Sequence, residues 1–294
     1  FIDMHAHSGL VILAEPRHEP KVRQGITTEL IGIDGNSYAP FKNDDDFLAF
    51  VEMNSGLDGN PILPGRWSSV AEYLSMFDEK VAVNIAYMIG NSPLRIAAAG
   101  WENRPVIRTQ MENMKSLLRE GMEEGAYGLS TGLDYPPGSF ATTGELIELS
   151  KVVARLGGIY HTHLRNTLGD RYLDPPKEAL EISRQSGIPC HLTHFYQRVS
   201  HPGGARKLIE LVEKSRLEDI DVTFDSYPYI FSSTRLSINF PQWAQEGGPE
   251  NMKAIMSTVD GRDKLRASMF SRGLSYNDIW LTYFKKERNH RFEG

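Results

Sequence analysis

The chain has 294 residues, a formal net charge of -6, 40% hydrophobic residues and 24% charged residues. These values are typical of a globular protein with one large α/β barrel or two modest domains, and the absence of a Lys- and Arg-rich run argues against a nucleic-acid partner. No apolar segment reaches the roughly 20 residues that span a bilayer, so we expect no membrane partner. The single cysteine, Cys190, excludes an intramolecular disulfide and is compatible with a reducing cytosol, so we expect a cytoplasmic location.

Candidate strands alternate with amphipathic candidate helices. The predicted strands are Phe1–His7, Thr27–Asp34, Val81–Gly90, Ala126–Asp134, Gly158–Arg165, Ile188–Phe195 and Asp221–Tyr229. The predicted helices are Val70–Phe77, Val106–Glu124, Thr143–Leu156, Pro176–Ser186 and Ala205–Arg216. This alternation indicates a parallel sheet with right-handed crossovers. Because no phosphate-binding glycine loop occurs, we predict a (β/α)8 TIM-type barrel, represented by strands 1–7, rather than an open sheet.

The segment after the seventh strand differs from the rest. We predict a barrel domain over residues 1–230 and an insertion, or lid, over residues 231–294. The apolar run Ile279–Phe284 has the length of a strand, but we assign it to the insertion. The last unit of the barrel is then expected beyond Gly294.

The first predicted strand contains an Asp-x-His-x-His motif. Because side chains alternate along a strand, Asp3, His5 and His7 point to one side. Two imidazoles at this spacing are able to bind one divalent cation, and we expect Asp3 to brace them. The alternative is a half-buried strand with two hydrogen-bonded histidines.

Other predicted strands repeat this pattern where they end. The polar residues at strand ends are His5, His7, Asp34, His161, His163, His191, His194 and Asp225. Chemistry in a barrel is carried out where the strands end, and imidazoles with carboxylates are typical of a transition-metal site, above all zinc. The spacing leaves open which histidine of the fifth and sixth strands is a ligand. The remaining histidines, His18, His201 and His290, are predicted to lie on the surface.

A Gly-x-Ser-x-Gly motif at residues 128–132 is a competing signal. In serine hydrolases this motif requires a helix directly after the serine, here Ser130. Pro136 and Pro137 follow too closely for such a helix. We therefore expect Ser130 to line the end of a strand.

With these residues in view, the chain resembles the amidohydrolase superfamily and, within it, the N-acyl-D-amino-acid deacylases (D-aminoacylases). The matching stretches are the histidine motif at 3–7 and the segments 25–28, 125–137, 162–165, 193–194 and 225–229. The histidine motif is shared across the superfamily, whereas the Gly-Leu-Ser-x-Gly-Leu-Asp-Tyr and Tyr-Pro-Tyr stretches are more specific to the deacylases.

The resemblance implies which residues hold metal. It implies a tight Zn²⁺ site at Asp34, His163 and His194, with Asp34 at the family's metal-bridging position. It also implies a weaker second site at His5 and His7. The implied reaction is zinc-dependent hydrolysis of the amide bond of an N-acyl-D-amino acid, a small-molecule partner, to a carboxylate and a D-amino acid.

The resemblance also bears on proton transfer and substrate binding. The family's general acid/base aspartate ends an eighth strand, which is expected beyond Gly294, and Asp225 is the leading candidate within the chain. The candidates for binding the substrate are Arg165, Tyr227, Ser233 and Tyr135. An ion pair with a neighbouring loop is the alternative role for Arg165.

Two other functions remain open at this point. One is a cyclic-amide hydrolase of the dihydroorotase or hydantoinase kind, although no lysine ends a predicted strand to bridge two metal ions. The other is a barrel segment that binds metal but lacks its proton-transfer group.

Overall fold

The computed structural model describes residues 1–166, 171–197, 203–271, 277, 279–284 and 286–294. Within these ranges, seven parallel strands pair in sequence order in one sheet, which is an α/β partial barrel of the TIM type. The strands are β1 (Ile2–Asp3), β2 (Thr28–Ile31), β3 (Asn84–Gly90), β4 (Gly128–Gly132), β5 (Ile159–His163), β6 (Cys190–Leu192) and β7 (Val222–Phe224). Each lies inside a predicted strand and is shorter than predicted.

Helices connect the strands. In the described ranges they are α1 (Val11–Ala14), α2 (Glu19–Val22), α3 (Asp44–Asp58), α4 (Val70–Ser75), α5 (Asn91–Ala99), α6 (Arg108–Glu123), α7 (Thr143–Arg155), α8 (Asp174–Ser186), α9 (Gly204–Leu217), α10 (Gln242–Gln245), α11 (Gly248–Ser257) and α12 (Val259–Ser271). All five predicted helices are present, as α4 and α6–α9. Side-chain caps explain two of their starts, because Ser69 accepts the backbone N–H of Glu72 and Thr142 accepts that of Glu145.

The two faces of the sheet have different surroundings. On β2, the Ile31 side chain belongs to the large hydrophobic cluster that the sheet forms with side chains of the helices. The Leu30 side chain lies instead in a small buried cluster with Ile33 and Met88. Because side chains alternate along a strand, this small cluster lies on the face opposite the helices, which is the inside of the barrel.

Residues 231–294 contain α10, α11 and α12 where they are described. Arg235 donates from Nη1 to Asn54 Oδ1, which joins this segment to α3. Ile279–Phe284, which the structure describes throughout, forms no strand. Within the described part of the chain, no helix has both the length and the apolar character needed to cross a membrane.

Candidate metal centre

Four imidazoles surround one carboxylate oxygen at the C-terminal ends of the strands. The Oδ2 atom of Asp34 lies 3.4 Å from His5 Nε2, 3.5 Å from His7 Nε2, 3.7 Å from His163 Nδ1 and 3.9 Å from His194 Nε2. These five residues follow or end β1, β2, β5 and β6, so the sheet brings together the whole metal-ligand set predicted from the sequence.

The loop after β2 holds Asp34 in an uncommon backbone conformation. Asp34 has φ +54°, a left-handed value that Asp tolerates better than most residues. Ser130 braces this loop, since its hydroxyl donates to Gly32 O (2.5 Å) and accepts the N–H of Gly35 (3.1 Å). Ser130 is fully buried, and the stretch after β4 is a turn followed by a short 3-10 helix at Gly138–Phe140. The serine-hydrolase elbow is therefore not formed.

Two further carboxylates hold the outer nitrogen atoms of the imidazoles. His7 Nδ1 lies 2.7 Å from Asp58 Oδ1, and His163 Nε2 lies 3.0 Å from Asp134 Oδ2. Such contacts fix the ring tautomer and leave the opposite nitrogen free to bind metal. We did not predict either carboxylate as a site residue. Asp134 ends a predicted strand and was open to the same argument as Asp34, whereas Asp58 lies at the end of α3 and carries no such signal.

The carboxylates raise the proton affinity of His5 and His7, which follow β1. Burial lowers the pKa of His5, but Asp34 and Asp225 outweigh it and raise the pKa to about 10. Burial also lowers the pKa of His7, and Asp58 with Asp34 raises it to about 9. Metal binding at these imidazoles therefore competes with protons.

The other two imidazoles behave differently from each other. Burial lowers the pKa of His163, but Asp134 and Asp34 raise it to about 9. For His194, burial and the neighbouring His163 lower the pKa to about 4. Burial raises the pKa of Asp34, but His5, His163 and His7 keep it well below its usual range, so Asp34 is a carboxylate at neutral pH.

The donor atoms fit a divalent transition metal. His163 Nδ1 and His194 Nε2 are 2.8 Å apart, and the ligand atoms of His5, Asp34 and His194 all lie within 4.8 Å of one another. Imidazole nitrogen with carboxylate oxygen is a donor set typical of zinc. The predicted tight set of Asp34, His163 and His194 is thus brought together, with His5 and His7 on its other side.

A second group of polar side chains, formed by Asp225, His191 and His161, lies on the other side of His5. Asp225 Oδ2 is 3.5 Å from His5 Nδ1 and 3.0 Å from His191 Nε2, and its Oδ1 accepts the backbone N–H of His194 at 2.6 Å. The ring of His161 stacks on that of His191 with centroids 4.9 Å apart. Burial and the neighbouring His191 lower the pKa of His161 to about 3, so its imidazole is neutral.

Asp3 does not brace the imidazoles as predicted. Its Oδ1 accepts the backbone N–H of His5 at 2.9 Å, and its Oδ2 pairs with Lys21. The prediction is wrong because the short strand β1 ends at Asp3 and the chain turns there, which directs the carboxylate to the backbone.

Arg165 is held by the protein itself. Its guanidinium donates to Glu178 and to the carbonyl oxygens of Ser139 and Ala141, at 2.7 to 3.3 Å. The structure therefore favours the ion pair with a neighbouring loop over binding of the substrate.

Tyr135 lies beside the centre. Its ring centroid is 4.7 Å from that of His163, and its hydroxyl lies 3.2 Å from Thr234 Oγ1. The guanidinium of Arg235 lies over the Tyr135 ring at 4.6 Å and is buried. Sequence reasoning missed Arg235, since an arginine in a polar stretch gives no sign of burial.

The other predicted substrate residues lie on the segment after β7. The Tyr227 hydroxyl donates to that of Tyr196 at 3.1 Å, and the Tyr196 ring lies 6.1 Å from the His194 ring. Ser233 is exposed. Tyr227 is thus connected to the metal centre through Tyr196.

Of the histidines predicted to lie on the surface, His290 is exposed. His18 is buried, with Nε2 3.0 Å from Glu29 Oε2, so that prediction is wrong. A buried carboxylate on β2 attracts this ring inward. His201 lies outside the described residues.

Comparisons with known proteins complete the description. No protein-family model matches the chain. Over 243 residues it is 34% identical to a D-aminoacylase of Alcaligenes xylosoxydans xylosoxydans, a match that covers 80% of this chain and 48% of that protein. The fold is similar to a crystal structure of D-aminoacylase that defines a novel subset of amidohydrolases (30% identity, TM-score 0.68, 78% of this chain and 47% of that one). It is also similar to N-acyl-D-glutamate deacylase from Bordetella bronchiseptica, complexed with zinc and a phosphonate mimic of the tetrahedral intermediate (28% identity, TM-score 0.67, 78% and 47%). The chain thus spans about half the length of these relatives.

Proposed function

Because this chain belongs to the N-acyl-D-amino-acid deacylase group of the amidohydrolase superfamily, we propose that it carries the metal centre of an enzyme that hydrolyses the amide bond of N-acyl-D-amino acids. The observation that carries the proposal is the Asp34 carboxylate with four imidazole nitrogen atoms within 3.9 Å of one oxygen. No lysine ends any of the seven described strands to bridge two metal ions, so we do not favour the cyclic-amide alternative.

In the proposed site, Asp34, His163 and His194 hold one Zn²⁺ tightly, and His5 and His7 offer a weaker second position. When bound, zinc acts as a Lewis acid towards the acyl carbonyl oxygen. The residues of the chain supply position and charge, because carboxylates hold the outer nitrogens of His7 and His163 and fix which nitrogen faces the metal.

Proton transfer requires an acid/base group within hydrogen-bond reach of the substrate, and we propose a carboxylate for this role. Asp225 accepts from His191 and from the backbone N–H of His194, and it faces His5. Both of its oxygens thus have partners. Among the described residues, Asp225 is therefore the candidate for proton transfer, provided that the substrate displaces one of these partners.

The substrate carboxylate needs a cation at the site, and Arg235 meets this need better than Arg165. Arg235 is buried, and its Nε and Nη2 atoms have no hydrogen-bond partner among the described residues. A guanidinium presents two parallel N–H donors to a carboxylate. We assign Arg235 to the substrate carboxylate, with Tyr135 beneath it and Tyr227 and Ser233 as further hydroxyl donors.

The test measures amino acid released from N-acetyl-D-leucine and N-acetyl-L-leucine by a protein in which a further strand closes the sheet between β1 and β7. We expect turnover of the D-enantiomer only, loss of that turnover after chelation of the metal, and its recovery on addition of Zn²⁺. Arg235→Met should raise KM more than it lowers kcat, whereas the matched Arg165→Met should act on stability. Equal turnover of both enantiomers, or full turnover after chelation, would contradict the proposal.

The location proposed for the enzyme is the cytoplasm. Cys190 is the one cysteine of the chain and is buried, and burial raises the pKa of its thiol. A buried neutral thiol suits a reducing compartment.

A further inference from the structure

We propose that the barrel offers a further cation position besides the two proposed above, on the inner side of His5 and formed by His161 Nδ1, Asp225 Oδ2 and His5 Nδ1, for a divalent ion such as Zn²⁺ or Cu²⁺. One ligand atom from each of these three residues lies within 4.8 Å of the other two, and His5 Nδ1 is 3.5 Å from Asp225 Oδ2. Two of them, His161 Nδ1 and His5 Nδ1, are buried and have no hydrogen-bond partner among the described residues. The position uses none of the Asp34, His163 and His194 set, and the proposal does not depend on the proposed hydrolysis.

The tautomer of His161 is fixed by the backbone. Its Nε2 lies 3.0 Å from the carbonyl oxygen of Met4. A carbonyl oxygen only accepts, so Nε2 carries the proton and Nδ1 presents a lone pair. A buried lone pair without a donor is costly unless a cation or a proton donor faces it.

Asp225 is oriented towards the same space. His191 holds Oδ2 at 3.0 Å through Nε2, and the other nitrogen of His191 lies 2.8 Å from Thr223 Oγ1. Both nitrogens of His191 therefore have partners, and His191 positions the carboxylate rather than binding the cation itself. A carboxylate oxygen that accepts one hydrogen bond still has a lone pair for a metal ion.

His5 lies between the two positions. Its Nε2 faces Asp34 at 3.4 Å and its Nδ1 faces Asp225 at 3.5 Å. A neutral imidazole has a single lone pair, so His5 serves one position at a time. The inner position is therefore an alternative to the pairing of His5 with Asp34. Its two imidazoles and one carboxylate form a donor set that zinc accepts in proteins.

The experiment uses the chain with His163→Gln and His194→Gln, which removes two nitrogen ligands of the proposed tight site. Zn²⁺ alone is titrated against a chromophoric chelator, and circular dichroism monitors the fold. We expect this double variant to bind about one Zn²⁺ per chain. Adding His161→Gln should weaken binding by more than the roughly 10- to 100-fold that loss of a neighbouring hydrogen-bond partner costs.

The matched control is His191→Gln on the same background. His191 is stacked on His161 and lies at a similar depth, but it is not a ligand in the proposal. His191→Gln should therefore weaken Zn²⁺ binding by no more than about 10- to 100-fold. If the double variant binds no Zn²⁺, or if His161→Gln and His191→Gln weaken binding equally, the proposal is wrong.

A crystallographic measurement decides the case in which His161→Gln fails to fold. In crystals of the double variant soaked with Zn²⁺, an anomalous peak at the zinc edge should lie about 2.1 Å from His161 Nδ1. A peak beside His7 and Asp34 alone, or no peak, would overturn the proposal. Because neither experiment measures turnover, failure here leaves the proposed hydrolysis to its own test.

Discussion

The charge of a single residue, Asp34, organises the metal centre at the residue scale. Four imidazoles would repel one another if protonated, and the carboxylate between them offsets that repulsion. A divalent cation removes this repulsion in a different way, because it displaces the protons and binds the neutral imidazoles at nitrogen atoms that already converge. The two sides of the centre differ in geometry. On one side His163 Nδ1 and His194 Nε2 are only 2.8 Å apart and face Asp34 together, whereas on the other side His5 also faces Asp225 through its Nδ1.

This difference leads to a prediction for metal retention. Asp34→Ala, His163→Ala and His194→Ala should each release the tightly held zinc, because each removes one of three ligands. The double variant His5→Ala/His7→Ala should keep it. Elemental analysis of protein purified without added metal measures both outcomes. Loss of zinc from the double variant together with retention in Asp34→Ala would reverse the assignment.

Ser130 gives a prediction that separates metal chemistry from serine chemistry. Ser130→Ala leaves the Gly32 carbonyl and the Gly35 N–H without their buried partner, which should cost about 1–3 kcal/mol in the free energy of unfolding. Zinc should be retained. The matched control is Ser75→Ala, where the exposed hydroxyl donates to Glu72 O and the expected change is within about 0.5 kcal/mol.

Urea denaturation measures both variants of this pair. Loss of nearly all amide hydrolysis in Ser130→Ala, with full stability and full zinc content, would instead support a serine nucleophile.

The site could be predicted from the sequence only where residues follow strands. His5, Asp34 and His163 lie at strand ends, and a parallel sheet brings such ends to one edge. Asp58 and Arg235 reach the centre from α3 and from the segment after β7, and no periodicity specifies where such segments pack. The prediction for Asp3 was wrong for a local reason, because the turn after β1 directs its side chain to the backbone N–H of His5.

At the scale of elements, the sequence predicted those helices whose apolar period is clear. The helices α6 to α9 carry that period over 13 to 16 residues. The pattern of α3 is weaker, because apolar and polar residues alternate irregularly along it and its buried set includes Asn54 and Asp58. Asn54 and Asp58 are buried because they contact residues distant in the sequence. The local pattern of apolar residues does not predict such contacts.

A buried ion pair between α5 and α7 gives a prediction at this scale. Arg95 Nη1 lies 2.5 Å from Glu145 Oε2, and both side chains are almost fully buried. Arg95→Met should destabilise the fold by about 3–5 kcal/mol, because it leaves a buried carboxylate without its counter-charge. The partly exposed pair of Lys115 with Glu148 is the control, and Lys115→Met should cost at most about 1 kcal/mol.

The double variant Arg95→Met/Glu145→Leu should regain most of the lost stability, since two apolar side chains of similar size need no partner. Thermal and urea denaturation of the unsubstituted chain, Arg95→Met and the double variant would show this. If the double variant is as unstable as Arg95→Met, the loss comes from packing rather than from the unpaired carboxylate.

At the scale of the whole molecule, the two edges of the sheet are the decisive feature. In the described residues, β1 pairs only with β2, and β7 pairs only with β6. Unpaired strand edges present backbone donors and acceptors that invite association. Apolar side chains add to this, because Phe1 is 85% exposed, Ile2 65% and Phe224 41%. A closed barrel removes such edges.

The last prediction follows from these edges. We expect the 294-residue chain to self-associate as its concentration rises, and Ile2→Lys, which places a charge on the β1 edge, to reduce that association in sedimentation velocity experiments. A protein in which a further strand pairs with β1 and β7 should remain monodisperse at this interface. If that strand ends in an aspartate, the protein should also turn over N-acetyl-D-amino acids, because the carboxylate then lies at the same edge of the sheet as Asp34. Full turnover of the D-enantiomer by the 294-residue chain alone, abolished by Asp225→Asn, would show instead that Asp225 transfers the proton and that the open sheet is sufficient for catalysis.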